Sequence, residues 1–214
     1  MESEVLASQL RCPHGDKASA VSQSMNEANY NLNKRCIDLL KLKCADTILE
    51  IGPGNGAFIK YILSKGEGVS YTGLDLSPDM VAEANQINKS IVSLGQVCFE
   101  HGDSQKMDFE ENRFDKIFSV HTLYFWDNPS VHLSEIRRVL KKSGIFCIAF
   151  GDSKFMQKLP FVKYNFELYD KESACDLILK SGFSIEKTYE FIERGKSNTG
   201  EVVDKLIHII VCKA

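Results

Sequence analysis

No apolar run in this chain approaches the roughly 20 residues that a membrane-spanning helix needs, so no membrane is expected as a partner. A surplus of one charge is missing too. Twenty-six Lys and Arg face 29 Asp and Glu, a formal net charge of -3. A balance this near neutral gives no electrostatic reason to bind nucleic acid or an anionic membrane. The opening residues, MESEVLASQLRCPHGDK, start acidic and lack the apolar stretch of a secretory signal, so the expected location is cytoplasmic. Cysteine occurs seven times, yet no C-x-x-C pair occurs and the spacing is scattered. That pattern excludes a zinc framework, and no metal is expected. Cys147 and Cys212 lie inside apolar strand-like runs and Cys98 beside Phe99, as buried reduced thiols do. Internal repeats, low-complexity tracts and a linker to a second domain are all absent. Nothing in the composition sets an oligomeric state.

Short apolar runs alternating with helical patterns are what the chain does contain. TILEI (47–51), VSYTGLD (69–75), QVCFEHG (96–102), FDKIFSV (114–120) and GIFCIAF (144–150) read as strands. Such runs, punctuated by helices, point to a parallel sheet buried on both faces. Ser77 and Pro78 open one helix, along which Val81, Ala84, Ile87 and Ile91 recur at helical spacing. Asn128 and Pro129 open another, with Lys141 and Lys142 at its dipole-favoured end and Gly144 closing it. Asp170 and Gly182 bracket a third. The segments 183–193 and 202–214 are strand-like, with the loop RGKSNTGE and no helix between them, so they predict an antiparallel pair. Residues 1–24 read as a short helix and then a loop, ahead of a helix at about 27–43. The expected fold class is α/β: a Rossmann-like, doubly wound sheet of seven strands, mostly parallel, with an antiparallel C-terminal hairpin. One domain over 1–214 is expected, divided into an N-terminal lid (1–45), a cofactor-binding core (46–150) and a substrate-side segment with the terminal hairpin (151–214).

Three glycines then demand an explanation. In ILEIGPGNGAFI they sit at 52, 54 and 56, after the first strand and before a helix. There the backbone N–H groups are expected to face outward, and bare backbone lets a ligand approach closely. The spacing is one residue shorter than the dinucleotide fingerprint, and no Lys-Ser/Thr pair follows as in a phosphate loop. A nucleoside without a pyrophosphate fits better. Asp75 ends the second strand about 20 residues on, where an acid can accept from both ribose hydroxyls. Asp103 and Ser104 follow the third strand, where an acid can accept from the exocyclic amine of adenine.

Taken in order, LEIGPGNG, GLDLSPDMV, EHGDSQKMDF, FDKIFSVHTLYFWDNP and EIRRVLKKSGIFCIAF resemble the motif series of class I S-adenosylmethionine-dependent methyltransferases, small-molecule branch, over about residues 25–151. The resemblance implies S-adenosylmethionine as cofactor, S-adenosylhomocysteine as product and a small-molecule methyl acceptor. It implies that Glu50, Gly52, Gly54 and Asn55 surround the methionine part. It further implies that Asp75 holds the ribose, Leu76 and Met80 line the adenine, and Asp103 and Ser104 meet its edge. His121 would lie near the methionine or the methyl group. The N-terminal segment resembles a lid in some of these enzymes, with Asn26, Asn29, Tyr30 and Asn33 closing over the cofactor, or serving as caps and helix surface.

Methyl transfer from a sulfonium is an in-line displacement in which the cofactor carries the reactivity and the protein aligns the partners. If the acceptor is a hydroxyl or amine, His121 is the candidate base, with Tyr124 and Trp126 at the same mouth. The alternative is that Tyr124 and Trp126 pack and His121 bonds only to backbone. Phe155, Phe161, Tyr164 and Phe166 either wall an apolar acceptor pocket or cover the core. His14, His101, His132 and His208 read as structural or solvated. Two other function classes stay open: a nicotinamide-dependent Rossmann oxidoreductase, and a non-catalytic module that binds S-adenosylmethionine.

Overall fold

The computed structural model describes residues 1–196 and 201–214. Five parallel strands form its centre: β1 (Thr47–Ile51), β2 (Ser70–Asp75), β3 (Val97–His101), β4 (Phe114–Val120) and β5 (Leu140–Gly151). β6 (Ser184–Lys196) and β7 (Val202–Lys213) complete a seven-stranded sheet in the order β3-β2-β1-β4-β5-β7-β6. β7 slots between β5 and β6 and runs antiparallel to both. This is the expected α/β class with the expected antiparallel C-terminal pair.

Alternation along the central strands builds two cores. Leu49, Ile117, Phe146 and Ile148 bury on one face with helices α7 (Pro129–Val139) and α9 (Lys171–Lys180). Ile48, Phe118, Cys147 and Ala149 bury on the other, with α3 (Tyr30–Leu39), α4 (Ile59–Leu63) and α5 (Pro78–Ile87). Each large side chain hidden this way contributes about 1.5–3 kcal/mol before conformational entropy is charged against it. Strands buried on both faces explain why the sequence shows continuous apolar runs rather than a hydrophobic–polar alternation.

Several boundaries differ from expectation. Residues 18–24 are not loop: after α1 (Ser3–Arg11) comes α2 (Ala18–Ala28), and the chain breaks at Asn29 before α3 instead of running as one helix from about 27. α3 stops at Leu39 rather than near 43, and Lys41 takes a left-handed φ of 50°. The helix after Ser77 stops at Ile87, and a single turn, α6 (Lys89–Val92), follows Asn88. The Asn88 side chain donates to the carbonyls of Gly56 and Ala84, so it serves the glycine loop instead of continuing the helix. α7 stops at Val139, because Leu140 is already extended and pairs with Phe114. Lys141 therefore lies in β5 and bridges Asp115 at 2.7 Å, rather than sitting at a helix end. Of the expected loop 194–201, Arg194 to Lys196 continue β6, and 197–200 lie outside the described residues.

Between β5 and α9 the chain forms one short helix, α8 (Ser153–Met156), then a series of turns to residue 165 and an irregular stretch to 170. β1 and β4, separated in the chain by β2 and β3, are neighbours in the sheet, and the chain leaves them in opposite directions, toward β2 and toward β5. A crevice opens outside their carboxyl ends, where open α/β sheets hold ligands.

Candidate active site

The glycine loop lines one side of that crevice. Gly52 has φ +75°, and a Cβ there would lie 2.6 Å from Thr122 Cγ2, on the segment following β4. Gly54 has φ +56°, with nothing within 4 Å of an added Cβ. The first glycine is thus required by close approach of the two loops, and the second by a left-handed backbone that faces open space. The expected outward-facing amides are not there. Gly52 N–H donates to Leu74 O at 2.9 Å and Gly54 N–H to Asp75 Oδ2 at 2.8 Å. Gly56 N–H donates to Pro53 O at 3.1 Å. The three glycine N–H groups are thus spent on Leu74, Asp75 and Pro53 and are not offered to a ligand phosphate, which agrees with a ligand lacking a pyrophosphate at this position. The helix after the loop, α4, is also only five residues long and starts at Ile59 rather than directly behind Gly56.

A cavity of about 160 Å³ lies against the open side of this loop. Glu50, Gly52, Gly54 and Asp75 line its base. Leu76, Asp103 and Ser104 line one end, together with Trp126 and His132. His121 and Asn29 line the other. The remaining expected contacts sit elsewhere. Asn55 is buried behind the loop and bonds to Asn26, Ser22 and Glu83. Met80 is fully buried off the cavity wall. Tyr30 is about half exposed and packs on Phe58, with ring centroids 5.9 Å apart. Tyr124 lines a second cavity behind His121.

Two carboxylates govern the electrostatics. Glu50 is buried on β1, and among the described residues the one hydrogen-bond partner of its side chain is Tyr71, whose hydroxyl donates to Oε2 at 2.5 Å. Burial lifts its pKa to about 7, against the opposing pull of the Tyr71 hydroxyl. A carboxylate on a cavity wall, without a cation, is ready to take one from a ligand. Asp75 accepts from Gly54 N–H and, through Oδ1, from Ser77 N–H at 2.9 Å. Burial raises its pKa and the two amides oppose the shift. Each oxygen accepts one amide, so each keeps lone-pair capacity for a hydroxyl.

At the far end, Ser104 Oγ and His132 Nδ1 lie 2.7 Å apart, and the His132 ring stacks on Trp126 with centroids 4.8 Å apart at 9°. His132, expected to be structural or solvated, is buried and forms a wall of the cavity. Only its spacing on a helix that follows the Trp126 turn pointed there. Asp103 is held by Gln105 N–H and keeps its carboxylate partly exposed.

His121 stands at φ +60°, in the left-handed region, with its N–H bonded to Ala149 O at 2.8 Å. Burial first, and the Lys205 charge second, lower its pKa to about 4, so the ring is neutral at pH 7. Tyr124 OH accepts from Gly151 N–H and lies 2.9 Å from His121 Nδ1, but 3.5 Å from Gly151 O. The hydroxyl proton accordingly points at Nδ1, which leaves the hydrogen on Nε2. In that tautomer His121 offers the cavity a donor. The expected base role needs the other tautomer.

The N-terminal helices roof the crevice through Leu10, Pro13, Met25 and Asn26. Arg11 bridges Asp127 at 2.7 Å, Gly15 N–H donates to Asp79 at 2.7 Å, and Ser77 Oγ donates to Pro13 O. The exposed Arg11–Asp127 pair holds weakly, about 0–1 kcal/mol, whereas the Ser77 bond to Pro13 is buried. The buried Asn55 bonds carry more of the attachment.

The second cavity, of about 70 Å³, shares His121, Asn29, Met25, Leu10 and Phe125 with the first. Phe155, Phe161 and Phe166 line it, as one of the two readings of this segment expected. Tyr164 does not, and instead packs on the small core under the N-terminal helices.

Residues 49–148 match the family model described as "Methyltransferase domain". YrhH of Bacillus subtilis is 34% identical over 113 residues, covering 53% of this chain and 62% of its own. The fatty-acid O-methyltransferase of Mycolicibacterium smegmatis is 29% identical over 99 residues, 46% of this chain and 35% of its own. The chain thus spans less than two thirds of the length of the curated relatives it matches. In structure, the SAM-dependent methyltransferase from Aquifex aeolicus superposes with a TM-score of 0.73 at 19% identity, over 94% of this chain and 100% of that one. Motif series, sheet order and matched segment agree: residues 49–148 match a methyltransferase domain, and the chain has the fold of that S-adenosylmethionine-dependent methyltransferase.

Proposed function

We propose that the chain moves a methyl group from S-adenosylmethionine to a small-molecule acceptor by in-line displacement, releasing S-adenosylhomocysteine. One observation carries this reading. A single cavity places an uncompensated carboxylate, Glu50, and an amide-braced carboxylate, Asp75, on the open side of a glycine loop whose three glycine N–H groups are already bonded. That donor and acceptor set suits a ligand with an ammonium and a ribose diol and without a diphosphate. Glu50 binds the ammonium, Asp75 both ribose hydroxyls, and Asp103 with Ser104 the adenine edge, against the Trp126–His132 stack. The bound cofactor supplies an electrophilic methyl carbon. The chain aligns the acceptor with it and keeps water away. Asn29 and Met25 close the roof, and His121 positions groups at the boundary of the two cavities.

Residues 1–45 are the lid, 46–150 the cofactor-binding core, and 151–214 the substrate side with the terminal strands. No helix among the described residues is long and apolar enough to cross a membrane. With the near-neutral charge, this supports a cytoplasmic enzyme with neither membrane nor nucleic acid as partner. The name of the fatty-acid O-methyltransferase supports a small apolar acceptor. Calorimetric titration with S-adenosylhomocysteine, with NAD in a parallel cell, tests the reading. One-site saturation by the first alone is expected. Binding of NAD alone would move the chain to the oxidoreductase class.

A further inference from the structure

The second cavity is lined mostly by apolar side chains, with Asn29, His121, Tyr124 and Lys205 as its polar members. Phe155, Leu159, Phe161 and Phe166 form its walls, and Lys205 of β7 interrupts them. Lys205 is 7% exposed. Its ammonium donates to Ala28 O at 2.5 Å, at the end of α2. No carboxylate lies within 4.0 Å of its Nζ among the described residues, and 197–200 contain no acid. Glu193, its cross-strand neighbour, is the nearest opposing charge, and its Oε1 accepts from Asn31 at 3.1 Å. His121 and Tyr124 face the same space, and both are neutral at pH 7. An ammonium has three donors, and here two of them have no partner among the described residues. A buried cation in an apolar pocket is costly unless an anion joins it.

The proposed reading of the first cavity puts the transferable methyl beside His121, on the wall the two cavities share. Resting on that reading, we infer that the second cavity takes the acceptor, and that the acceptor is a small apolar carboxylic acid whose carboxylate pairs with Lys205. The carboxylate oxygen forms a bond to the methyl carbon, and the carbon–sulfur bond breaks with its electron pair staying on sulfur. The acid becomes a neutral methyl ester, the sulfonium becomes a thioether, and no proton moves. An acceptor that arrives ionised needs no base, which fits a His121 tautomer that donates. Burial lowers the pKa of Lys205, and Glu193 opposes that shift. A bound carboxylate would oppose it further.

The test uses octanoate and phenylacetate, each against its primary amide, with the full chain saturated by S-adenosylhomocysteine. Binding of S-adenosylhomocysteine is measured first, and its failure would remove the cofactor reading itself. With that binding in place, at least one acid should bind tenfold or more tighter than its amide. With S-adenosylmethionine instead, that acid should yield its methyl ester by mass spectrometry. Lys205→Met should abolish the preference for acid over amide and lower kcat/KM for the acid at least tenfold, while S-adenosylhomocysteine still binds and reports a folded chain. Lys205→Arg, which keeps the charge and the contact to α2, should retain the preference. Acids that bind no better than amides, that do not bind at all, or that S-adenosylhomocysteine displaces would overturn the inference. So would a preference that survives in Lys205→Met, which would leave Lys205 as a cap for α2 alone.

Discussion

Glu50 and Asp75 occupy neighbouring strands, yet their surroundings ask opposite things of a ligand. Glu50 lacks a cation, so its ionisation should be coupled to binding. Its pKa of about 7 means that below that pH the ligand ammonium must first displace a proton. Affinity for S-adenosylhomocysteine should rise about tenfold per pH unit between pH 5.5 and 7. Glu50→Gln should flatten that slope in calorimetry at each pH, and a slope that persists would place the titrating group elsewhere. Asp75 makes charge-assisted contacts worth about 1.5–3 kcal/mol each. Asp75→Ala should therefore weaken binding at least tenfold, while unchanged affinity would refute its role. Gly52 tests the loop rather than the ligand. Gly52→Ala forces a Cβ to 2.6 Å from Thr122 at a left-handed φ, and should cost about 1–3 kcal/mol in denaturant unfolding. Asp75 and the glycines were legible because spacing alone marks a strand end and a tight approach. Lys205 was not, because burial of one Lys in an apolar strand follows from where α2 ends, and sequence distance hides that.

Elements were legible where they end on chemistry. Ser77 caps α5 through Met80 N–H at 3.1 Å, and Asp170 caps α9 in a reciprocal box with Ser173, as their positions suggested. α7 was harder, since a strand pairing at Leu140 overrides cations that suit a helix end equally well. The N-terminal helices were the least legible, because their partners are distant in sequence. Asn55 shows this best. The glycine motif marks it as a cofactor contact, whereas the fold uses it to tie α2 to α5 through Asn26, Ser22 and Glu83. Asn55→Ala should therefore loosen the roof more than the base. Dissociation of S-adenosylhomocysteine in stopped flow should accelerate several-fold, with about 1–3 kcal/mol lost from stability. An unchanged off-rate would mean that these helices do not gate the site.

Across the whole molecule, two buried groups set opposing pH dependences. His121 has a pKa of about 4, below its ordinary 6.5, so its contribution to stability is present above 6.5 and lost as pH falls toward 4. Glu50 has a pKa above its ordinary 4.5, so its contribution is present below 4.5 and lost as pH rises toward 7. Each amounts to about 3 kcal/mol. Between pH 4.5 and 6.5 they offset each other, so the ligand-free protein should melt at a nearly constant temperature there. Glu50→Gln should unmask the acid loss, and His121→Gln the opposite slope. Parallel slopes in both variants would contradict the assignment. The alternating strands dictate the sheet that holds these groups, and both β1 and β4 read clearly as apolar runs. What sequence spacing cannot encode is that Gly52 and Thr122 meet across the crevice, since 70 residues of chain separate the two loops.

The most direct test of the account is a crystal structure of the full chain with S-adenosylhomocysteine. The account predicts the ribose hydroxyls on Asp75, the ammonium within hydrogen-bonding distance of Glu50, and the adenine edge at Asp103 and Ser104 beside Trp126. A ligand bound with these carboxylates unengaged, or seated outside the crevice between β1 and β4, would contradict it.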